Sequence, residues 1–420
     1  MTRAVFALII FVFVTPLALQ AEEISLTLDE AVAIALRDNR DVLLKAEDLE
    51  KAKARVAEAK AGLFPSLNFT GSWTNTAGLY AKDLSQSTAQ ATLKQYLYKG
   101  GKTVNTIRQN KYKQEVSAAL LDKVRLETAL CVTKAFYTLV LARELVSLNK
   151  AIADNTREHL DSVRERYKSG QASESDILNI EASLSSVEQA HAESLNQAEA
   201  GLSLLNNLLY LADDTRIKPA AELDYQPEEV AYDAAFLQAM KSRPEIRQYE
   251  AQTQADKKGI EIAKADTRPS IYASWDYYSR SHIAATTSRN WNDYNVIGLT
   301  FSWPIFDGWA TKAKVEQAII DLKQTQLLRE KTIKDIAWEL KDAYLCLKNA
   351  ITEIESAESD LEVYHDNLLS ARQKYGRGIA SLLDMNDADL KYAVSDFNKK
   401  QAVYDYIVAK SYFDKAMGGL

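Results

Sequence analysis

The sequence predicts a mainly α protein with a smaller β part of four strands per chain, arranged as a tandem structural repeat. Three observations carry this expectation. Between Ile333 and Tyr375 seam residues return every seven positions, at Ile333, Leu340, Leu347, Ile354, Leu361, Leu368 and Tyr375. Ile336, Ala343, Ala350, Ala357, Tyr364 and Ala371 follow the first six three positions later. This sustained 3–4 spacing belongs to one very long helix packed lengthwise on partners, and the small second members let neighbouring backbones approach closely. Second, the stretch occurs twice. With Tyr375 laid on Tyr167, the seam becomes Val132, Leu139, Val146, Ala153, Leu160 and Tyr167, Tyr375-Gly376-Arg377-Gly378 falls on Tyr167-Lys168-Ser169-Gly170, and Asp384 falls on Asp176. Third, in each copy the period switches from helical to two just after a Pro-Ser pair, Pro65-Ser66 and Pro269-Ser270. Copies of this kind bury their apolar faces against one another.

Composition narrows the class. The 420 residues carry 51 Lys+Arg against 58 Asp+Glu, a net charge of −7, with no basic cluster of the kind that neutralises phosphates. Nucleic acid is therefore not an expected partner. Met1–Ala21 reads as a secretory signal: Arg3, an apolar run Ala4–Val14, then Pro16 and small residues to Ala21. Beyond it no run approaches the ~18 apolar residues of a spanning helix, and no Cys near the cut offers a lipid attachment point. Cys131 and Cys346 stand about two helical turns out of repeat register, too far apart for a disulfide if the helices run side by side; both read as small buried hydrophobes.

In chain order, the first repeat spans 22–211. Thr27-Leu28-Asp29-Glu30 opens an amphipathic helix that the pattern Ala31, Ala35, Val42, Ala46, Leu49 and Ala57 carries to Gly62. A β-hairpin follows over 66–98. Leu67, Phe69, Trp73, Ala77 and Leu79 alternate with Asn68, Thr70, Ser72, Thr74 and Thr76, and after a turn-rich gap at Ala81–Ser87, Ala89, Ala91, Leu93 and Leu97 alternate with polar residues. A long helix over 102–168, ~100 Å at 1.5 Å per residue, then turns at Ser169-Gly170-Gln171 and returns over 175–211. The segment 212–232, with Pro219 and Pro227, lacks periodicity and reads as a linker with room for a short element. The second repeat, 233–420, contains a helix, a hairpin over 270–305 with its polar tip around Ser281–Asn292, a long helix over 311–375 and a return helix over 382–417.

Strands of roughly ten residues, apolar on one side and hydroxylated on the other, with Trp and Tyr near their ends, fit outer-membrane barrel strands; a soluble half-buried hairpin is the alternative. Four strands cannot close a barrel, and an open edge in lipid leaves backbone groups unpaired. Other copies must complete the wall, eight strands from two copies or twelve from three.

The residues at the junctions and tips resemble the TolC-like outer-membrane efflux proteins over essentially the whole mature chain. The resemblance rests on the duplication, on Phe64-Pro65-Ser66-Leu67 with Arg268-Pro269-Ser270-Ile271, on Leu97-Tyr98-Lys99-Gly100-Gly101 with Ile305-Phe306-Asp307-Gly308, and on Arg166-Tyr167-Lys168-Ser169-Gly170 with Lys374-Tyr375-Gly376-Arg377-Gly378. It implies a homotrimer with an α-helical barrel continuous with a transmembrane β-barrel of twelve strands. It also implies work as the exit duct of a tripartite efflux or type I secretion system, in the outer membrane of a Gram-negative bacterium. There the duct would meet a periplasmic adaptor (membrane fusion) protein and an inner-membrane pump or ABC exporter, and no cofactor is implied.

By the same resemblance Asp384 and Asp387 narrow the periplasmic aperture. Three protomers would set six carboxylates around one opening, a device for cation preference. The plainer reading of Asp384 is a cap on the return helix. Tyr375 and Asp176 match positions that link neighbouring helices and hold the aperture shut. Where the family's lock carries an Arg, this chain has Ala380, with Arg377 on the other side of Gly378 as a candidate substitute. Gly170, Gln171, Ala172, Gly378, Ile379 and Ala380 at the two tips match the adaptor contact. Enzyme readings find little support. His159, His191, His282 and His365 are scattered, and Gly101-Lys102-Thr103 lacks the first glycine of a phosphate-binding loop, Tyr96 standing in its place. A periplasmic coiled-coil adaptor or scaffold is the competing function, and a secreted hydrolase a third with no clustered nucleophile and base.

Overall fold

The computed structural model describes residues 23–79, 82–225, 230–284 and 290–419; the signal segment, residues 80–81, residues 226–229 of the predicted linker and residues 285–289 of the predicted polar tip lie outside them. In chain order the elements are β1 (Glu23–Leu26), α1 (Leu28–Asp38), α2 (Arg40–Ala61), β2 (Ser66–Leu79), β3 (Lys82–Lys99), α3 (Lys102–Lys168), α4 (Glu174–Leu209), β4 (Arg216–Pro219), α5 (Tyr232–Ser242), α6 (Pro244–Lys264), a 3-10 turn Ala265–Thr267, β5 (Ser270–Ala284), β6 (Asn290–Ser302), α7 (Ala310–Gly376) and α8 (Leu382–Met417). α3 and α7 are both 67 residues long and α4 and α8 both 36, so the duplication is visible in the elements themselves. No helix among the described residues is long and apolar enough to cross a membrane.

The chain divides into two compact units. One holds the residues up to Ala35, Val132–Asp224 and Ala357–Tyr404; the other holds Leu36–Cys131, Tyr225–Ser356 and Asp405–Leu420. In the first unit the seam of α3 is buried at Val132, Ala135, Leu139, Ala153 and Leu160, and the first three join Leu26, Ala31, Ala35, Phe136, Leu202, Leu205, Leu209 and Ile217 in one core cluster. In the second unit Ile336, Leu340, Ala343, Leu347, Ala350 and Ile354 of α7 are buried. Here the 3–4 spacing does what it predicts.

Several expectations are corrected. The helix read from Thr27 to Gly62 is broken at Asn39, whose side chain accepts from Asp41 N at 2.9 Å and restarts the chain as α2; Asn competes for backbone donors and so favours caps over helix interiors. The opening at Thr27 is a capping box, with Thr27 N donating to Glu30 Oε2 at 2.9 Å and Glu30 N donating to Thr27 Oγ1 at 3.3 Å. The turn-rich gap at Ala81–Ser87 is mostly strand, because Ser85 and Ser87 pair with Asn75 and Trp73. β5 likewise continues through Ser281 to Ala284 and β6 resumes at Asn290, so the four strands have 14, 18, 15 and 13 residues instead of about ten. The short element for which 212–232 has room is β4, which pairs in parallel with β1 and buries Ile217, its carbonyl accepting from Arg143 Nη2 at 2.5 Å. Cys131 and Cys346 are exposed and not buried. The seam belongs to the next residues, Val132 and Leu347, and one position is a rotation of about 100° around a helix.

In the second unit the start of α6 carries a buried ion cluster. Arg243, 4% exposed, pairs with Glu339, and Lys415 Nζ lies 2.6 Å from Glu339 Oε1. Ser242 Oγ and Arg243 Nη1 donate to the Met417 and Lys415 carbonyls at 2.5 and 3.1 Å, fixing the end of α8. Asp266 accepts from Lys102 Nζ at 2.6 Å and Lys314 Nζ at 3.3 Å, tying together the starts of both long helices.

Candidate functional site

Two regions carry the functional features, one in each unit. The first is a four-stranded antiparallel sheet of order β2-β3-β5-β6, in which the two copies meet at the central β3–β5 pair. β2 and β6 are its edges and have no further partner among the described residues. Strand alternation sorts the side chains by face. Leu67, Phe69 and Trp73 of β2 and Ile297, Leu299 and Phe301 of β6 share one face, and each is more than 60% exposed. Toward the helices this face is an apolar surface open to its surroundings, which a water-soluble hairpin would bury; Asn295 and Asp293 interrupt it before Trp291. Aromatic residues gather where the strands meet the helices: Phe64, Tyr98, Trp303, Phe306 and Trp309 are all exposed, and Trp303 Nε1 donates to the Thr267 carbonyl at 3.1 Å. Trp291 stands toward the other end of β6 on the same face. Such girdles mark the two interfaces of an apolar band.

The opposite face is polar and internally bonded. Thr92 Oγ1 donates to Asp276 Oδ1 at 2.6 Å, and Gln90 Nε2 reaches Asp276 Oδ1 at 3.2 Å and the Tyr278 hydroxyl at 2.9 Å. These bonds run across the β3–β5 pair, Thr92 opposite Asp276 and Gln90 opposite Tyr278, so they join side chains from the two copies.

The second region comprises the tip turns of the other unit, and the two copies build them alike. α3 ends with Gly170 at φ +75° and α7 with Gly378 at φ +70°. Nothing lies within 4 Å of a Cβ added at either, so the left-handed backbone is what favours glycine there. Gly170 N and Gln171 N donate to the Tyr167 and Arg166 carbonyls, and Gly378 N and Ile379 N to those of Tyr375 and Lys374, at 2.8–2.9 Å. These are the paired bonds of a Schellman end. The return helices then open on capping boxes. Asp176 Oδ2 accepts from Ser173 N and Oγ at 2.8 Å, and Asp384 Oδ2 accepts from Ser381 N and Oγ at 2.9 and 2.7 Å. Equivalent ion pairs hold each helix pair together behind its turn, Arg164 to Glu181 at 2.7 Å and Arg372 to Asp389 at 2.9 Å.

The residues singled out from the sequence fall as follows. Asp384 and Asp387 lie in the first turns of α8 and both are exposed. The Ser381 hydroxyl, with its backbone N–H, holds the Asp384 carboxyl below the usual carboxylate range, and the Ser173 backbone N–H and hydroxyl do the same for Asp176. Asp387 Oδ2 instead lies 2.7 Å from Lys391 Nζ. Tyr375 is 42% exposed and its hydroxyl forms no hydrogen bond among the described residues of the protomer, whereas Asp176 bonds within its own helix start. Gly170, Gln171 and Gly378 are exposed, Ala172 and Ala380 half-buried, and Ile379 is 73% exposed at the apex of the second turn. The sequence offers Asp384 as a cap but not its partner Ser381 or the equivalent box at Asp176, although Ser173-x-x-Asp176 and Ser381-x-x-Asp384 have the spacing of that motif. No group of His, Cys, Asp or Glu among the described residues is arranged to hold a metal ion.

Comparison with known proteins agrees with this geometry. At 24% identity over 396 residues, covering 92% of this chain and 84% of the relative, the chain is similar to the probable outer membrane lipoprotein SilC of Salmonella typhimurium. It is 20% identical to the outer membrane protein TolC of Escherichia coli strain K12, over 91% of this chain and 80% of that protein. Among solved structures, the CmeC outer membrane channel of Campylobacter jejuni superposes with a TM-score of 0.79 at 18% identity, covering 93% of this chain and 85% of that one. The open state of the MtrE outer membrane channel of Neisseria gonorrhoeae superposes with a TM-score of 0.76 at 18% identity, over 93% and 89%. The profile of the outer membrane efflux protein family matches residues 31–209 and 236–419, one block in each copy of the duplication, and the chain belongs to that family.

Proposed function

We propose that the protein is the outer-membrane exit duct of a tripartite efflux or type I secretion system, a passive conduit opened at its periplasmic tip. The observation that carries the reading is the sheet: an apolar face exposed to its surroundings, a bonded polar face, and two free edges. In lipid those edges require partners. β6 of one protomer pairing with β2 of the next, three times round, would give twelve strands with the polar faces inward. The repeats 22–211 and 233–420 are then two similar parts of each protomer's share of the wall. The family works as a trimeric channel with adaptor and pump partners; for this chain we assign the adaptor contact to Gly170, Gln171, Ala172, Gly378, Ile379 and Ala380. Crosslinking from Ile379→Cys is expected to capture the adaptor, and capture only from 212–232 would contradict the assignment. Chemistry belongs to the energised partners, so the duct needs no catalytic group or cofactor.

A periplasmic adaptor or scaffold is the competing reading. Membrane fractionation separates the two. The duct resists a high-salt wash and is released only by detergent, whereas a scaffold washes off.

We place the aperture ring at Asp384 and Asp387, with Tyr375 and Asp176 as its helix-linking neighbours. Asp387 is partly matched by Lys391, so Asp384 supplies most of the unmatched charge. Asp384→Asn, which keeps an acceptor for Ser381, is expected to lower cation preference in planar-bilayer recordings more than Asp387→Asn does. Native selectivity in the double variant would reject the ring.

A further inference from the structure

The polar face of the four-stranded sheet carries charge that conduction alone does not require. Strand register places Lys94, Lys99 and Arg280 on it, with Asp276 as the one carboxylate among its described residues. Lys99 arrives there through the irregularity between Tyr96 and Tyr98. An unbroken alternation would send it to the lipid side, and one extra residue reverses the facing of everything after it.

None of the three cations forms an ion pair among the described residues. Each lies over tyrosine rings. Lys94 Nζ is 3.8 Å from the Tyr272 ring and 4.8 Å from Tyr96, and Lys99 Nζ is 4.6 Å from Tyr96. The Arg280 guanidinium is 5.1 Å from Tyr278 and 5.6 Å from Tyr294, two rings stacked at 5.0 Å, and its Nε is buried with no acceptor. Asp276 is occupied by the neutral donors Thr92 and Gln90. An aromatic face steadies a cation without cancelling its charge, so among the described side chains of this face three unneutralised cations stand against one carboxylate. In a closed wall they would repeat around the lumen, and low-dielectric walls focus such a field.

We propose that this face is a selectivity surface for anions, which favours the passage of negatively charged solutes through the membrane-spanning part of the duct and opposes in sign the carboxylates of the tip. The inference rests on reading the polar face as the lumen of a channel.

The test is the reversal potential of the full-length protein in planar bilayers under a potassium chloride gradient at low salt. Lys94→Gln with Lys99→Gln and Arg280→Gln is expected to raise the potassium-to-chloride permeability ratio about threefold or more. The difference should shrink near 1 M salt, where screening reaches about 3 Å. Lys94→Gln with Lys99→Gln, which leaves the Arg280 stack intact, is expected to give a smaller shift in the same direction. The charge-keeping pair Lys94→Arg with Lys99→Arg is expected to retain the native ratio. Conducting Gln variants with the native ratio at low salt would overturn the inference and leave the channel reading standing. No conductance from the native protein would overturn both.

Discussion

Replacing Arg243 with alanine is expected to cost about 3–5 kcal/mol of stability, read as a lower melting temperature in detergent, because it leaves the buried Glu339 with only part of its pairing. Arg243 and Glu339 are 4% and 17% exposed, so water cannot take over the lost contact. The same cluster sets an acid limit. Burial pushes the Glu339 carboxyl up, but the hydrogen bond from Lys415 and the charges of Arg243 and Lys415 outweigh it, so the group titrates below its ordinary 4.5. A carboxyl depressed in the folded state contributes stability that is fully present above its unfolded value and is lost as pH falls through the folded one. Stability should therefore drop below about pH 4.5 in the native chain. Glu339→Gln should be less stable at neutral pH and lack this part of the acid decline.

Leu299→Arg is expected to block stable membrane insertion, whereas Thr300→Arg, one residue away, is expected to insert. Leu299 is 71% exposed on the apolar face, and a guanidinium facing lipid near the midplane costs about 2–4 kcal/mol. Thr300 pairs with Tyr272 on the polar face, where an added charge stays in water. Fractionation and detergent release of the two variants read the difference. Equal behaviour would mean that the two faces do not meet different solvents.

Much of this architecture was legible in the sequence because it depends on period. The seam at Leu340, Leu347 and Ile354 and its counterpart at Val132, Leu139 and Leu160 follow from the return of apolar residues, and both are buried where the spacing puts them. The facing of Leu67, Phe69, Ile297 and Leu299 follows from alternation. What escaped depends on single residues or on distant partners. β1 and β4 are four-residue strands almost two hundred positions apart, too short to show a period. The break at Asn39 is one cap inside a continuing amphipathic pattern. The placement of Lys99 depends on a bulge that alternation cannot foresee, and the Arg243–Glu339–Lys415 cluster exists only after folding. At the tips the capping serines stood at recognisable spacing. Their partner Asp384 reads in the sequence as either cap or gate, and its carboxylate is exposed while it caps.

The central claim is that the four-stranded sheet is completed by other copies of the chain. The mass of the detergent-extracted particle, measured by native mass spectrometry, tests it most directly. Three chains per particle, covalently linked when cysteines are placed on facing positions of β2 and β6, is the predicted result. A stable single-chain particle that stays soluble without detergent would contradict it.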